Sequence, residues 1–219
     1  MVGMRTMPSW CGVVIVVFST LVATTTLGAS IDEIKLQIEA IERRDGVHTL
    51  KLYPVLKELA SSLQAQESYA ASLEPLRRMQ NLVHRRYGVY STMQYESVEL
   101  MIDALNHLGN HAAVGVRERF MYALAQRSYP DDSIEMDAAR WRFAHWNRDV
   151  GQYGAAMRLY DTSLAYLDDD VSAPAEKRIA LLRARALIKY ITGQCCVLTD
   201  LAKAKQLVET NGSTLEYRT

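Results

Sequence analysis

Gly151-Gln152-Tyr153-Gly154-Ala155-Ala156-Met157-Arg158-Leu159-Tyr160-Asp161-Thr162-Ser163-Leu164 is the stretch that decides the fold. Gly151 stands 42 residues after Gly109 and 42 before Gly193, and one step further back the same slot holds Glu67. A fixed spacing of this kind marks a repeat array. After the glycine, Tyr153, Met157, Tyr160, Leu164 and Leu167 recur at the three-to-four-residue period of an amphipathic helix. Gly151 itself suits the end of a preceding helix, because glycine takes positive φ without a side-chain clash. The stretch is therefore the turn and second helix of a helical hairpin.

A second set, Gly46, Gly88 and Pro130, keeps the same period at the other kind of junction. Second helices are expected to open at Tyr69, His111, Tyr153 and Cys195 and to run to Tyr87-Gly88, Tyr129-Pro130 and Val171-Ser172, where glycine or proline stops them. Thr49, Ser91 and Ser133 announce the first helices with hydroxyls able to cap exposed N–H groups, and Ser91 with Gln94 spells a capping box. First helices carry Leu52, Leu56, Leu59 and Leu63, then Val98, Ile102 and Leu105; the second helix of the first unit carries Tyr69, Leu73, Leu76, Met79 and Val83. Pro75 inside that helix bends it or marks a late start. No segment shows the sustained alternation of a strand, so the fold class is all-α: a solenoid of antiparallel helix hairpins.

Residues 30 to 46 form a half repeat, a leftover second helix in which Ser30 and Glu33 make a capping box. Repeats follow at about 49–88, 91–130 and 133–172, with a degenerate one at 173–209 whose last helix presents Lys203, Lys205, Gln206 and Glu209 as a polar outer face. Residues 211–219 read as a loose tail.

Before the array, Gly12 to Phe18 is an unbroken apolar run, Ser19 to Ala29 is small or apolar, and Arg5 is the sole charged side chain. Residues 1–29 therefore read as a secretory signal leaving near Gly28 or Ala29, the alternative being an N-terminal anchor retained across residues 12–29. Export to the periplasm or cell envelope is the expected location. Lys plus Arg and Asp plus Glu are 25 each, so no global field draws the chain to nucleic acid or to an anionic membrane. Membrane association then depends on retention of the N-terminal segment. Cys195 and Cys196 are adjacent, which makes no disulfide framework; two small, semi-buried helix residues or intermolecular oxidation are the alternatives.

Gly151, Tyr153, Ala156, Tyr160, Ser163 and Leu164 together resemble the tetratricopeptide repeat, and the 42-residue spacing with longer helices resembles its kinesin-light-chain type. With the export segment, residues 30 to 210 are similar to uncharacterised proteobacterial envelope proteins of this family. The resemblance implies a right-handed superhelix, no catalysis, and an inner groove lined by first helices that binds a peptide or partner protein. Its groove positions fall here on Lys57 and Ser61, on Glu99, Asp103 and Asn106, on Trp141, His145 and Arg148, and on Arg183, Leu187 and Tyr190. Of the family's two-carboxylate clamp, Lys57 and Arg142 match, whereas Ser61, Leu100 and Ala138 do not.

The segment Arg140 to Arg148 is the richest candidate. Trp141, His145 and Arg148 share one helical face while Phe143 and Trp146 face the core, although Trp141 also suits packing between helices. His107 and His111 are separated by Gly109, which removes the shared face a metal pair needs. Asp168-Asp169-Asp170 lacks the alternation of a calcium loop and reads as an acidic turn. Arg77, Arg78, His84, Arg85 and Arg86 read as a charged convex surface. No nucleophile with its base, metal set or phosphate-cradling loop is visible, so neither an enzyme nor a bound cofactor is expected. The expected function is a non-catalytic adaptor, with self-association through the half repeat, as a homodimer, as the alternative.

Overall fold

The computed structural model describes residues 30–169 and 174–211. The export segment and all but the first residue of the tail lie outside the described residues. Nine α-helices are described: α1 (Ile31–Asp45), α2 (Leu52–Ala65), α3 (Tyr69–Tyr87), α4 (Tyr95–His107), α5 (His111–Ser128), α6 (Ile134–Asp149), α7 (Tyr153–Asp169), α8 (Ala175–Ile191) and α9 (Val197–Asn211). Each packs mainly on the next in sequence, so α2/α3, α4/α5, α6/α7 and α8/α9 are hairpins stacked in order behind α1. Among the described residues no helix is long and apolar enough to cross a membrane.

The 42-residue register is a register of hydrogen bonds. Ser68, Asn110, Gln152 and Gln194 each donate their backbone N–H to the carbonyl five residues back, on Leu63, Leu105, Asn147 and Lys189, at 2.8, 2.9, 2.7 and 2.8 Å. This is the Schellman closure of a helix, and it requires the residue before the donor to be left-handed. Gly109, Gly151 and Gly193 meet that requirement at φ 65°, 77° and 65°, and Glu67 meets it at φ 57° despite its side chain. At the other junction Gly46 and Gly88 close α1 and α3 at φ 89° and 91°. Pro130 ends the second unit differently. It disfavours helical backbone at the residue before it, so Tyr129 swings to φ −125° and α5 stops at Ser128.

Several local expectations hold and others are corrected. Ser30 and Glu33 form their capping box, and Ser133 caps α6 by accepting from Met136 N at 3.1 Å. Ser91 does not form one: its hydroxyl accepts from Met93 N, while the buried Gln94 side chain turns back to donate to the Gly88 and Val89 carbonyls. A single 3-10 turn, Thr92–Gln94, therefore precedes α4. α3 is helical from Tyr69 through Pro75, which excludes the late start. α9 opens at Val197 and not at Cys195, because Cys196 takes φ 69° and lengthens the turn after Gly193. Both cysteines are exposed free thiols rather than semi-buried helix residues, with their sulfurs 3.2 Å apart.

The core falls into two clusters. One runs through α1 to α5 around Ile34, Leu52, Leu56, Leu76, Met79 and Met101; the other runs through α6 to α9 around Ala144, Tyr160, Leu167, Leu181 and Ile188. Each fully buried aliphatic side chain contributes about 1.5–3 kcal/mol. At the C-terminal hairpin Asp200, 1% exposed, accepts from Arg185 at 2.9 Å and Lys189 at 2.8 Å. Burial pushes its carboxyl up, but the two cations outweigh burial and hold it below the ordinary carboxylate value.

The register yields a stability prediction. Glu67→Gly relieves a side chain in left-handed backbone and should raise unfolding free energy by about 1 kcal/mol, whereas Gly151→Ala should lower it by a similar amount. Urea unfolding of the two variants beside the parent checks both signs.

Candidate groove between the first helices

The first helices α2, α4, α6 and α8 are tied to one another in a line of polar contacts. Lys57 on α2 pairs with Glu96 on α4, which also accepts from Tyr53 Oη at 2.9 Å. Glu99 on α4 accepts from Arg142 Nη1 on α6 at 2.6 Å, and Asp137 on α6 meets Lys177 on α8. Gln64 adds a bond from α2 to the Leu100 carbonyl at 3.0 Å. The hydrogen bond from Lys57 is the main reason the Glu96 carboxyl sits low, while burial and then Glu96 push the Tyr53 phenol up. Both cations matching the two-carboxylate clamp, Lys57 and Arg142, are thus already neutralised by the chain's own carboxylates.

The implied groove residues separate into two groups. Lys57, Ser61, Glu99, Asp103, Asn106, Arg183, Leu187 and Tyr190 are exposed, Tyr190 at 75%. Trp141, His145 and Arg148 are only half-exposed. Trp141 packs on the second core cluster, with its ring 4.3 Å from His145 and 5.9 Å from Tyr160. His145 Nε2 is buried with no hydrogen-bond partner, and burial, aided by Arg148, lowers the imidazole pKa. Arg148 pairs with Asp149 at 2.7 Å. The aromatic face of α6 therefore covers α7 as much as it faces the groove. Phe143 and Trp146 pack inward, stacked at 5.5 Å, with Phe143 also stacked on Tyr122 at 4.6 Å.

The other candidates find ordinary places. His107 stacks on Tyr69 at 4.1 Å, and His111 opens α5 beyond the turn. Arg77, His84, Arg85 and Arg86 are exposed on α3, where the last three complement the helix C-terminus, and Arg78 pairs with Glu42 on α1. Asp168 pairs with Arg178 at 3.5 Å, and Asp170 lies outside the described residues.

Between α4, α5 and α6 lies a cavity of about 280 Å³ that the sequence did not disclose. Tyr95, Tyr122, Tyr129 and Phe143 supply its aromatic wall, and Glu99, Glu118, Glu135 and Arg142 its charges. Glu118 is buried and receives Arg142 at 3.2 and 3.3 Å, so one guanidinium spans an exposed and a buried carboxylate. Burial, then Tyr129, raises the Tyr95 phenol to about 12, with Glu99 adding and Arg142 opposing. The register carried a signal for this site: Glu118 occupies the slot of the buried Leu76 and Tyr160, and Arg142 that of the buried Ala184. A charge in a core slot points to a partner charge or to an opening.

Against solved structures, the chain is similar to nearly identical TPR-like repeats of kinesin-light-chain type from Podosopora anserina. The TM-score is 0.66 at 14% identity, covering 84% of this chain and 88% of that one. It is similar also to BtubC (BKLC) from P. vanneervenii, with TM-score 0.59 at 9% identity and coverage of 86% and 84%. By sequence it matches no protein-family profile and no curated protein. The fold is a TPR-like all-α helical repeat.

Arg142→Met leaves Glu118 buried and unpaired, and should destabilise the chain by about 3 kcal/mol. The double variant Glu118→Met, Arg142→Met should recover part of that loss. A denaturant double-mutant cycle measures the coupling directly.

Proposed function

We propose that this protein is a non-catalytic interaction scaffold that binds a peptide or partner protein along the first helices, and that it works after export, in the cell envelope. One observation carries the binding reading. Lys57, Glu99, Asp103, Asn106, Arg183 and Tyr190, which the resemblance to the tetratricopeptide repeat assigns to the groove, are all exposed side chains on α2, α4 and α8. Such a row offers directional polar contacts and one large aromatic anchor to an extended ligand. The solved structures it resembles support the scaffold class. The apolar run of residues 12–18, followed by small residues to Ala29, supports export, and it leaves membrane attachment as the alternative if that segment is retained.

The test is cross-linked capture from envelope extract with the full chain as bait, beside the variant Asp103→Lys, Tyr190→Ser. Both positions are exposed, so far-UV circular dichroism should not change. A partner enriched about tenfold or more by the parent and lost by the variant is the expected result. Equal recovery by both would overturn the groove assignment.

A second reading, self-association, is favoured by a specific surface. Leu187, Tyr190 and Ile191 of α8 and Leu198 and Leu201 of α9 are large apolar side chains exposed by 42–80% at the last hairpin. The half repeat exposes one comparable residue on its helix, Leu36. Assembly would therefore use the C-terminal end rather than α1. Light scattering over a dilution series should show a concentration-dependent dimer that Leu198→Glu abolishes; a monomer at all concentrations would sink this reading.

A further inference from the structure

We infer that the cavity between α4, α5 and α6 is a recognition pocket for a cationic side chain, lysine or arginine, of the partner segment. The inference rests on the scaffold reading and gives that ligand its chemistry. At about 280 Å³ the cavity is at or below the lower end of what a drug-sized molecule needs, and it suits a single side chain. Its walls select the charge. Tyr95, Tyr122, Tyr129 and Phe143 line the cavity, and a desolvated cation is attracted by aromatic quadrupoles.

The fixed charges agree with the walls. Three carboxylates, Glu99, Glu118 and Glu135, line the cavity against one guanidinium, Arg142. Arg142 is held on both sides, by Glu118 and by Glu99 at 2.6 Å, so an incoming carboxylate would have to displace one of its own kind. Glu135, exposed at the first turn of α6, pairs with no cation among the described residues. Tyr95, another residue of the wall, has a buried hydroxyl with no hydrogen-bond partner. An ammonium or guanidinium group supplies the donor that the Glu135 carboxylate lacks.

The site lies where a groove ligand would pass. Glu99 is both a groove position and a wall of the cavity, and Ala138 and Ala139 keep the α6 side low between the carboxylates. A segment running across α4 and α6 would thus drop one long side chain between the two helices. Its aliphatic stem would lie on the rings while its charged end met Glu99 and Glu135.

The experiment uses the full chain with methyl-labelled methionine, because Met121 lines the cavity and reports occupancy. n-Butylguanidinium chloride is titrated as the side-chain probe, with sodium butyrate and n-pentanol as the anionic and uncharged probes of similar length. The expected result is a saturating Met121 shift with butylguanidinium, at least fivefold tighter than with either control and weakening as salt is raised. Glu135→Gln should weaken it about fivefold, with Met101 and Met79 unshifted as a check on folding. Equal shifts with butyrate or pentanol would overturn the charge assignment. A butylguanidinium shift unchanged by both Glu135→Gln and Glu99→Gln would overturn the site. No protein partner is needed, so a failed envelope capture with a successful titration would count against the scaffold and not against the pocket.

Discussion

Arg142 is the constraint on which the middle of the molecule depends. The two apolar clusters part between α5 and α6, and at that seam Glu118 is buried with its carboxylate fully committed to the Arg142 guanidinium. The stack elsewhere holds by burying one helix face against the next. Here charges occupy slots that are apolar in neighbouring units: Glu118 where Leu76 and Tyr160 sit, Arg140 where Val98 and Leu182 sit, Asp137 where Ile179 sits. Burying ions rarely stabilises more than an apolar replacement would, so their presence makes the seam a place of specific geometry rather than maximal stability. Arg140 answers the same demand locally, donating to the Asp131 carbonyl while its side chain is 6% exposed. Trp146 bridges the seam from the apolar side. It leaves α6 to pack on the first cluster, and Gly115 makes room, since a Cβ there would lie 2.9 Å from the indole.

A stack in which each helix meets chiefly its sequence neighbours accumulates stability unit by unit. Two devices keep such an array in register. The first is the Schellman turn, which fixes the angle of every hairpin through one left-handed residue and one 6→1 hydrogen bond. The second is the line of ion pairs joining first helices, from Lys57–Glu96 through Arg142–Glu99 to Lys177–Asp137. Exposed members of that line contribute little energy each, but they fix where groove charge is cancelled and where it is left over.

What the sequence disclosed follows the range of the forces involved. Turn chemistry is local, so the spacing of Gly109, Gly151 and Gly193 located the hairpins, and Glu67 in the same slot took the same backbone conformation. Helix starts that depend on a competitor for the capping group were less legible: Gln94 satisfies the preceding loop instead of its own helix, and Cys196 adopts positive φ where a helix was expected. The groove was legible as a list of positions but not as a surface. Trp141 and His145 occupy the same register as Glu99 and Asp103, yet their rings lean onto Tyr160, a contact decided by the neighbouring helix. The cavity required three helices at once, and only the charges out of place at positions 118 and 142 foretold it.

On the proposed reading, the seam and the recognition surface are one feature. An apolar residue at position 118 would close the core and leave Arg142 with Glu99 as its one carboxylate partner. With Glu118 in place the guanidinium is spent within the chain, the nearby excess is carboxylate, and the gap between α4 and α6 stays lined by aromatic rings. In the proposed pocket, the residue that weakens the core would thus set the sign of charge accepted. A repeat array built from near-equivalent units would gain specificity this way, because a departure from the repeat in one core slot changes the chemistry of the surface above it while the turns hold the fold constant.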